Sequence, residues 1–129
     1  MSNRVKFSSG TKWEPIVGYS RAIRIGNVVH VSGTTATNQE GTIVGVGSFE
    51  AQTVQILKNI QRALESVGSK LEDVVRTRIY ITDMNHWEEV GKVHGTIFKE
   101  IRPATSMIEV RRLITPDILL EIEAEAIVT

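Results

Sequence analysis

The stretch LLEIEAEAIV, Leu119–Val128, decides how this chain folds. Its residues alternate strictly. Leu120, Ile122, Ala124, Ala126 and Val128 fall on one side, and Glu121, Glu123 and Glu125 on the other. Such a strand belongs to a sheet with one face packed against an apolar layer and the other left polar. VVRTRIYITD, Val74–Asp83, has the same period, with Arg76, Arg78, Tyr80 and Thr82 opposite Val75, Thr77, Ile79 and Ile81. Further upstream, YSRAIRIGNVVHVSG (19–33) reads as two short strands broken at Gly26-Asn27, a pair suited to a tight hairpin. RVKF, Arg4–Phe7, offers one more strand.

Two segments between these strands follow the helical period instead. FEAQTVQILKNIQRALESVG places Val54, Leu57, Ile60, Leu64 and Val67 three or four residues apart, with Ser48 as N-cap and Gly68 as the stop. NHWEEVGKVHGTIFKEI places Trp87, Val90, His94, Ile97 and Ile101 on one stripe, with Asn85 and Glu88 as a capping pair. That helix must end before Pro103. The Gly-, Thr- and Asn-rich run Thr34–Ser48 reads as a loop. A strand over Thr105–Leu113 follows the proline, with Thr105, Met107 and Glu109 on one side and Ser106, Ile108 and Val110 on the other. The order β-β-α-β-α-β-β predicts an α+β fold, a mixed sheet with two helices packed on one face. Five or six strands span roughly 25 Å, and two helices of about 10 Å each cover one such face but not two. The uncovered face is expected to carry Arg76, Arg78, Glu109, Arg111, Glu121, Glu123 and Glu125, mixed with Tyr80 and Met107. Such a face is either solvated or buried against other copies of the chain, and its apolar members favour the second.

Composition narrows the function classes. The chain has 129 residues, the size of one domain, and its 15 basic and 15 acidic residues cancel. A protein that grips phosphate backbones carries a basic excess, so the balance argues against nucleic acid as a main partner. The absence of cysteine excludes disulfides, thiolate catalysis and cysteine metal sites. No apolar run approaches the roughly 20 residues that span a bilayer. No membrane association and a cytoplasmic location are expected.

Motifs add little by themselves. GVGS, Gly45–Ser48, lacks the third glycine of a dinucleotide loop and the Gly-Lys-Ser/Thr of a phosphate loop. There is no Gly-x-Ser-x-Gly elbow. His30, His86 and His94 have no metal-site spacing, and neither a metal nor any other cofactor is expected. His94, on an apolar stripe, reads as a partly buried histidine with one satisfied nitrogen.

The ordered whole says more. GYSRAIRIGNVVHVSG, AQTVQILKNIQRALESVGSKLEDVVRTRIYITDMNHWEEV, RPATSMIEVRRL and LEIEAEA together resemble the RidA family, also called YjgF or L-PSP endoribonuclease-like. The resemblance runs from about Pro15 to Val128 and makes residues 1–129 one RidA-like domain. It implies a chorismate-mutase-like fold and a homotrimer whose helix-free sheet faces form a central barrel, with small-molecule pockets between subunits. In members that hydrolyse reactive 2-imino acids, an arginine in a Pro-Ala-Arg-Ser turn grips the substrate carboxylate. A tyrosine near the start and a glutamate on the last strand complete the pocket. Those two positions are Tyr19 and Glu121, the implied catalytic pair. The implied ligand-binding residues are Trp87, Ser32 and Gly33, with Met107 on the same side of its strand as the anchor.

The arginine position is Thr105. A guanidinium offers a carboxylate two parallel charged hydrogen bonds, and a threonine hydroxyl offers one neutral bond. The difference weakens carboxylate binding by roughly tenfold or more. Arg21, Arg24 and Arg102 are the nearby cations that could replace the lost charge. Deaminase-like hydrolysis of an imine or enamine with a non-standard substrate is the leading expectation, and the expected ligand is a small imine, enamine or keto-acid-like molecule. A catalytically silent metabolite-binding trimer is the alternative. The ribonuclease or translation-inhibitor role attached to parts of the family fares worst, since neutral charge and the lack of a His/Lys acid–base pair supply no mechanism.

Overall fold

The computed structural model describes residues 3–129. The elements run β1 (Arg4–Phe7), α1 (Trp13–Val17), β2 (Ala22–Ile25), β3 (Val28–Thr34), α2 (Phe49–Ser66), β4 (Val74–Ile81), α3 (Trp87–Phe98), β5 (Ala104–Glu109) and β6 (Leu120–Ile127). The six strands form one mixed sheet in the order β1-β2-β3-β6-β4-β5. All pairs are antiparallel except β4 with β5, which α3 joins as a parallel crossover. The architecture is the expected α+β sheet, and the short α1 was not foreseen.

Alternation places the core. Leu120, Ile122, Ala124 and Ala126 of β6 are buried, as are Val29 and Val31 of β3 and Thr77, Ile79 and Ile81 of β4. Ile56, Leu57, Ile60, Ala63 and Leu64 of α2 and Val90 and Phe98 of α3 complete the same cluster. Burying each large aliphatic side chain contributes about 1.5–3 kcal/mol. The helix α2 starts and stops where its sequence says. The Ser48 hydroxyl accepts from the Ala51 N–H at 3.0 Å, and Gly68, with φ at 81°, takes the left-handed turn that ends the helix. Ser48→Ala is expected to lower stability by about 1 kcal/mol, seen as a lower urea midpoint with unchanged slope.

Several local readings are corrected. Val75, expected beside Ile79 and Ile81, is exposed, because the ladder shifts between Val74 and Arg76 and turns Val74 inward. Met107 and Glu109, expected on the uncovered face, lie on the helix side. The parallel register pairs Thr77 with Thr105, Ile79 with Met107 and Ile81 with Glu109. Ser106 and Ile108 take the open face instead, and β5 ends at Glu109, so Arg111 lies beyond the sheet. Asn85 is not a helix cap: Asp83 caps a 3₁₀ turn at Met84–His86 by accepting from the Asn85 N–H at 3.0 Å. On α3 the buried residues are Val90 and Phe98, while Trp87 and Ile97 are exposed. Val54 of α2 is likewise exposed, and Ile56 occupies the core in its place.

The open face carries paired charges and bare apolar groups side by side. Arg78 meets Glu123 at 3.4 Å and Glu125 at 3.6 Å. Tyr80 donates to Glu123 at 2.8 Å, which together with partial burial raises its hydroxyl pKa. One row across the sheet aligns Ile25, Val28 and Ile127. All three are exposed, as is Ile108.

Candidate active site

The ends of β2 and β3 next to β6 gather most of the expected pocket. Between Val31 and Thr34 the register of β3 against β6 slips, so Ser32 and Gly33 together face the stretch around Glu123. This bulge brings the Gly33 backbone against the Glu121 side chain. A Cβ built on Gly33 would lie 2.2 Å from Glu121 Oε1 and 2.7 Å from its carboxyl carbon. Only a residue without a side chain allows Glu121 to sit there. Ser32 is held by donating to the Ser20 carbonyl at 2.6 Å.

Arg21 ties the group together. Its guanidinium donates to the Gly33 carbonyl, to Thr34 Oγ1 at 3.4 Å and to the Tyr19 hydroxyl at 3.2 Å. It also lies over the Tyr19 ring, 5.3 Å from the centroid. Its counter-ion is the buried Glu14 of α1, 3.8 Å away. Burial alone would raise the Glu14 pKa. Hydrogen bonds from Ser9, Ser8 and Thr11 and the Arg21 charge outweigh it, and the net shift is downward. Glu121 goes the other way. Partial burial raises its pKa, the Glu123 charge adds to the rise, and Arg21 opposes it. A carboxyl so placed is a better proton acceptor near neutrality than a solvated one.

Of the three candidate cations, Arg21 alone reaches this cluster. Arg24 donates to the carbonyls of Gly26 at 2.8 Å, Val67 at 2.9 Å and Gly68 at 3.2 Å, closing the end of α2. Arg102 is exposed at the turn before β5, in a left-handed conformation with φ at 53°. Beside Tyr19 and Ser32 lies an open cleft of about 800 Å³, also lined by Lys6, Ile23 and Glu14.

Thr105, Met107 and Trp87 form no part of that group within one protomer. The strand β4 separates β5 from β6. Thr105 lies in the helix-side row with Thr77, whereas Glu121 shares the open-side row with Tyr80. The Thr105 hydroxyl is 2.8 Å from Thr77 Oγ1 and 3.3 Å from the Pro103 carbonyl. Thr77 Oγ1 is in turn 2.9 Å from His94 Nε2. The His94 ring packs on Phe98 with centroids 4.6 Å apart, and its burial lowers its pKa. His94 is thus the half-buried histidine with a satisfied nitrogen that its stripe suggested, and its partner is Thr77, the neighbour of Thr105. Trp87 heads α3 two turns before His94, 53% exposed, with its ring 3.7 Å from where a Gly91 Cβ would sit. Among the described residues no group of three or more His, Asp or Glu is placed to hold a metal, and no helix is long and apolar enough to cross a membrane.

Sequence reasoning missed the burial of Arg21 against Glu14 and the part played by Thr77. The one signal for Thr77 was a hydroxyl amid the isoleucines on the apolar side of β4. For Arg21 there was none, because its position outside the strand period hid its direction.

Comparison with known proteins shows the family of the chain. The family model described as Endoribonuclease L-PSP matches residues 10–128. A crystal structure from Mycobacterium tuberculosis, described as a member of the highly conserved YjgF/YER057c/UK114 family, is 50% identical with a TM-score of 0.88. The match covers 97% of this chain and 99% of that one. A RutC family protein of Pyrococcus abyssi is 36% identical over 113 residues, 88% of each chain. The 3-aminoacrylate deaminase RutC of Acinetobacter baylyi is 33% identical over 112 residues, covering 87% of this chain and 88% of its own. With its bulged β3, its Pro-Ala-x-Ser stretch opening β5 and its glutamate-bearing last strand, the chain belongs to the L-PSP endoribonuclease (RidA/YjgF) family.

Proposed function

We propose that this protein is an imine or enamine deaminase acting on a small metabolite, in pockets shared between the subunits of a homotrimer. The observation that carries the proposal is the Glu121 carboxyl, lodged against Gly33 with its pKa raised, together with the Arg21 guanidinium that binds both the Gly33 carbonyl and the Tyr19 hydroxyl. In this reading Glu121 takes a proton from a water as its oxygen adds to the C=N carbon. The carbinolamine nitrogen receives that proton, Glu121 then carries the hydroxyl proton to the same nitrogen as the C–N bond breaks, and ammonia and a carbonyl compound leave. An enamine enters the same path after tautomerising to the imine. Tyr19, fixed by Arg21, orients the water or the nitrogen, and Ser32 and Gly33 line the pocket.

The need for a second copy follows from position. Thr105 and Glu121 lie on opposite faces of one sheet, so a pocket holding both must take them from two protomers, with Trp87 and Met107 coming in on the Thr105 side. The exposed Ile25, Val28, Ile127 and Ile108 on the open face supply the apolar surface that such an assembly would bury. Ammonia release from imines generated in situ, above the rate without protein, tests the activity, and light scattering tests the trimer. A trimer that binds keto acids but releases no ammonia would favour the silent binder, a reading to which the engagement of Thr105 with Thr77 lends weight.

Thr105→Arg supplies a second test. The Thr105 side is exposed, so a guanidinium has room to extend toward the pocket. It should raise kcat/KM on a carboxylate-bearing imine by roughly five- to a hundredfold. An assembled variant with no gain would show that more than the anchor separates this chain from carboxylate-binding relatives.

A further inference from the structure

The anchor position does not end in an isolated hydroxyl. Thr105, Thr77 and His94 form a continuous chain of three polar side chains, with links of 2.8 and 2.9 Å, that runs from an exposed residue to a half-buried ring. The hydrogens in this chain can be counted. Each threonine has one O–H. If His94 Nε2 carries no proton, Thr77 donates to it and Thr105 donates to Thr77, leaving the Thr105 oxygen as an acceptor toward the pocket. If Nε2 carries the proton, it donates to Thr77, Thr77 donates to Thr105, and the Thr105 O–H can donate to the Pro103 carbonyl or turn outward to a ligand. The contact from Thr105 to the Pro103 carbonyl at 3.3 Å belongs to this second state, since that carbonyl can only accept. Both states are uncharged.

We infer that His94, acting through Thr77, sets whether Thr105 donates or accepts, and so makes the anchor position a neutral, two-way site for an uncharged polar group such as a carboxamide. The inference rests on the reading that Thr105 lines the ligand pocket, and it names the substrate class: imines and enamines that carry an amide or a similar neutral group where a carboxylate would otherwise sit. A carboxylate gains little here. It can only accept, so it can use one of the two states, and it brings a charge that the chain does not answer. A carboxamide offers both an N–H and a carbonyl oxygen and can use either state. Thr77 is fully buried and its hydroxyl sits between the other two, so it is the coupling element. His94 is a positioning residue.

The test compares pyruvate with pyruvamide, two keto compounds that differ in the carboxylate, on the assembled protein. Calorimetry should show pyruvamide binding about tenfold more tightly than pyruvate. Thr77→Val, which keeps the shape and removes the link, should narrow that preference by about threefold, since the lone Thr105 hydroxyl still offers no charge. His94→Phe should do the same, and His94→Gln, which keeps a donor and an acceptor, should restore part of the preference. Nitrogen-15 shifts of His94 should change on saturation with pyruvamide in the native protein and stay fixed in Thr77→Val. Equal affinities, a preference for pyruvate, no binding of either at millimolar concentration, or unchanged His94 shifts would each overturn the inference. The enzymatic reading is judged separately by ammonia release. A relay-dependent amide preference without turnover would refute the deaminase and leave the inference standing. Turnover abolished in Glu121→Gln, but with no amide preference, would do the reverse.

Discussion

Glu121→Gln should abolish imine-dependent ammonia release, with a fall of about 10²- to 10⁴-fold, while the protein becomes no less stable. The magnitude is that of a removed general base. The stability direction follows from the raised pKa of Glu121. A carboxyl whose folded pKa exceeds its unfolded value holds its proton more readily in the folded state. Its stabilising contribution is complete below the unfolded pKa and is lost as pH rises through the folded one. At neutral pH the native protein therefore keeps a partly desolvated charge that glutamine does not have. Thermal unfolding at pH 7 should show the variant equal to or above the native protein, with the difference vanishing below the ordinary glutamate range of about 4.3. In the native protein the acid limb of kcat/KM for imine-dependent ammonia release should lie above that range as well. A variant that keeps its activity would remove Glu121 from the chemistry.

Gly33→Ala should uncouple folding from activity. Its Cβ would come within 2.2 Å of Glu121 Oε1, so the carboxylate must move. The atoms it meets are the far end of a flexible side chain, and relocating them toward solvent costs little, so the melting temperature should change by only a few degrees. Displacement of the reacting group by about 1 Å is enough to lose roughly 10²-fold in rate. The expected result is an assembled, folded protein with kcat/KM down by that factor, and with its acid limb shifted toward the value of a solvated glutamate as the carboxyl regains water. Unchanged turnover would mean that the position of Glu121 against the bulge does not matter for catalysis. A large loss of stability would mean instead that the bulge itself cannot accept a side chain.

Much of this molecule was legible in the chain because the controlling physics is local. The alternation in Leu119–Val128 divided the sheet into a buried and an open face, and the burial of Leu120, Ile122, Ala124 and Ala126 follows it. The helix α2 begins at its serine cap and ends at its glycine because capping and left-handed turns depend on a few adjacent residues. The hairpin at Gly26-Asn27 is equally local, with Gly26 at a φ of 60°. The Pro-Ala-x-Ser stretch and the final Glu-Ile-Glu-Ala strand, taken with the two longer stretches before them, were enough to show the family resemblance.

What remained was settled by partners distant along the chain. Periodicity says that Thr105, Met107 and Glu109 share a side of β5, but not which side, because either parity satisfies a half-polar edge strand. Only the parallel register with β4 turned them toward the helices. Bulges add one unpaired residue and reverse every direction beyond it, and nothing local announced those at Val74–Val75 and Ser32–Gly33. The same holds for the site. Tyr19 and Glu121 were named from motif, but the Arg21–Glu14 pair that holds Tyr19 and the Thr77–His94 link behind Thr105 arise only when strands and helices far apart in sequence are stacked. The chemistry of a side chain is written in its residue type. The neighbour that shifts its pKa or decides whether it donates or accepts is chosen by packing.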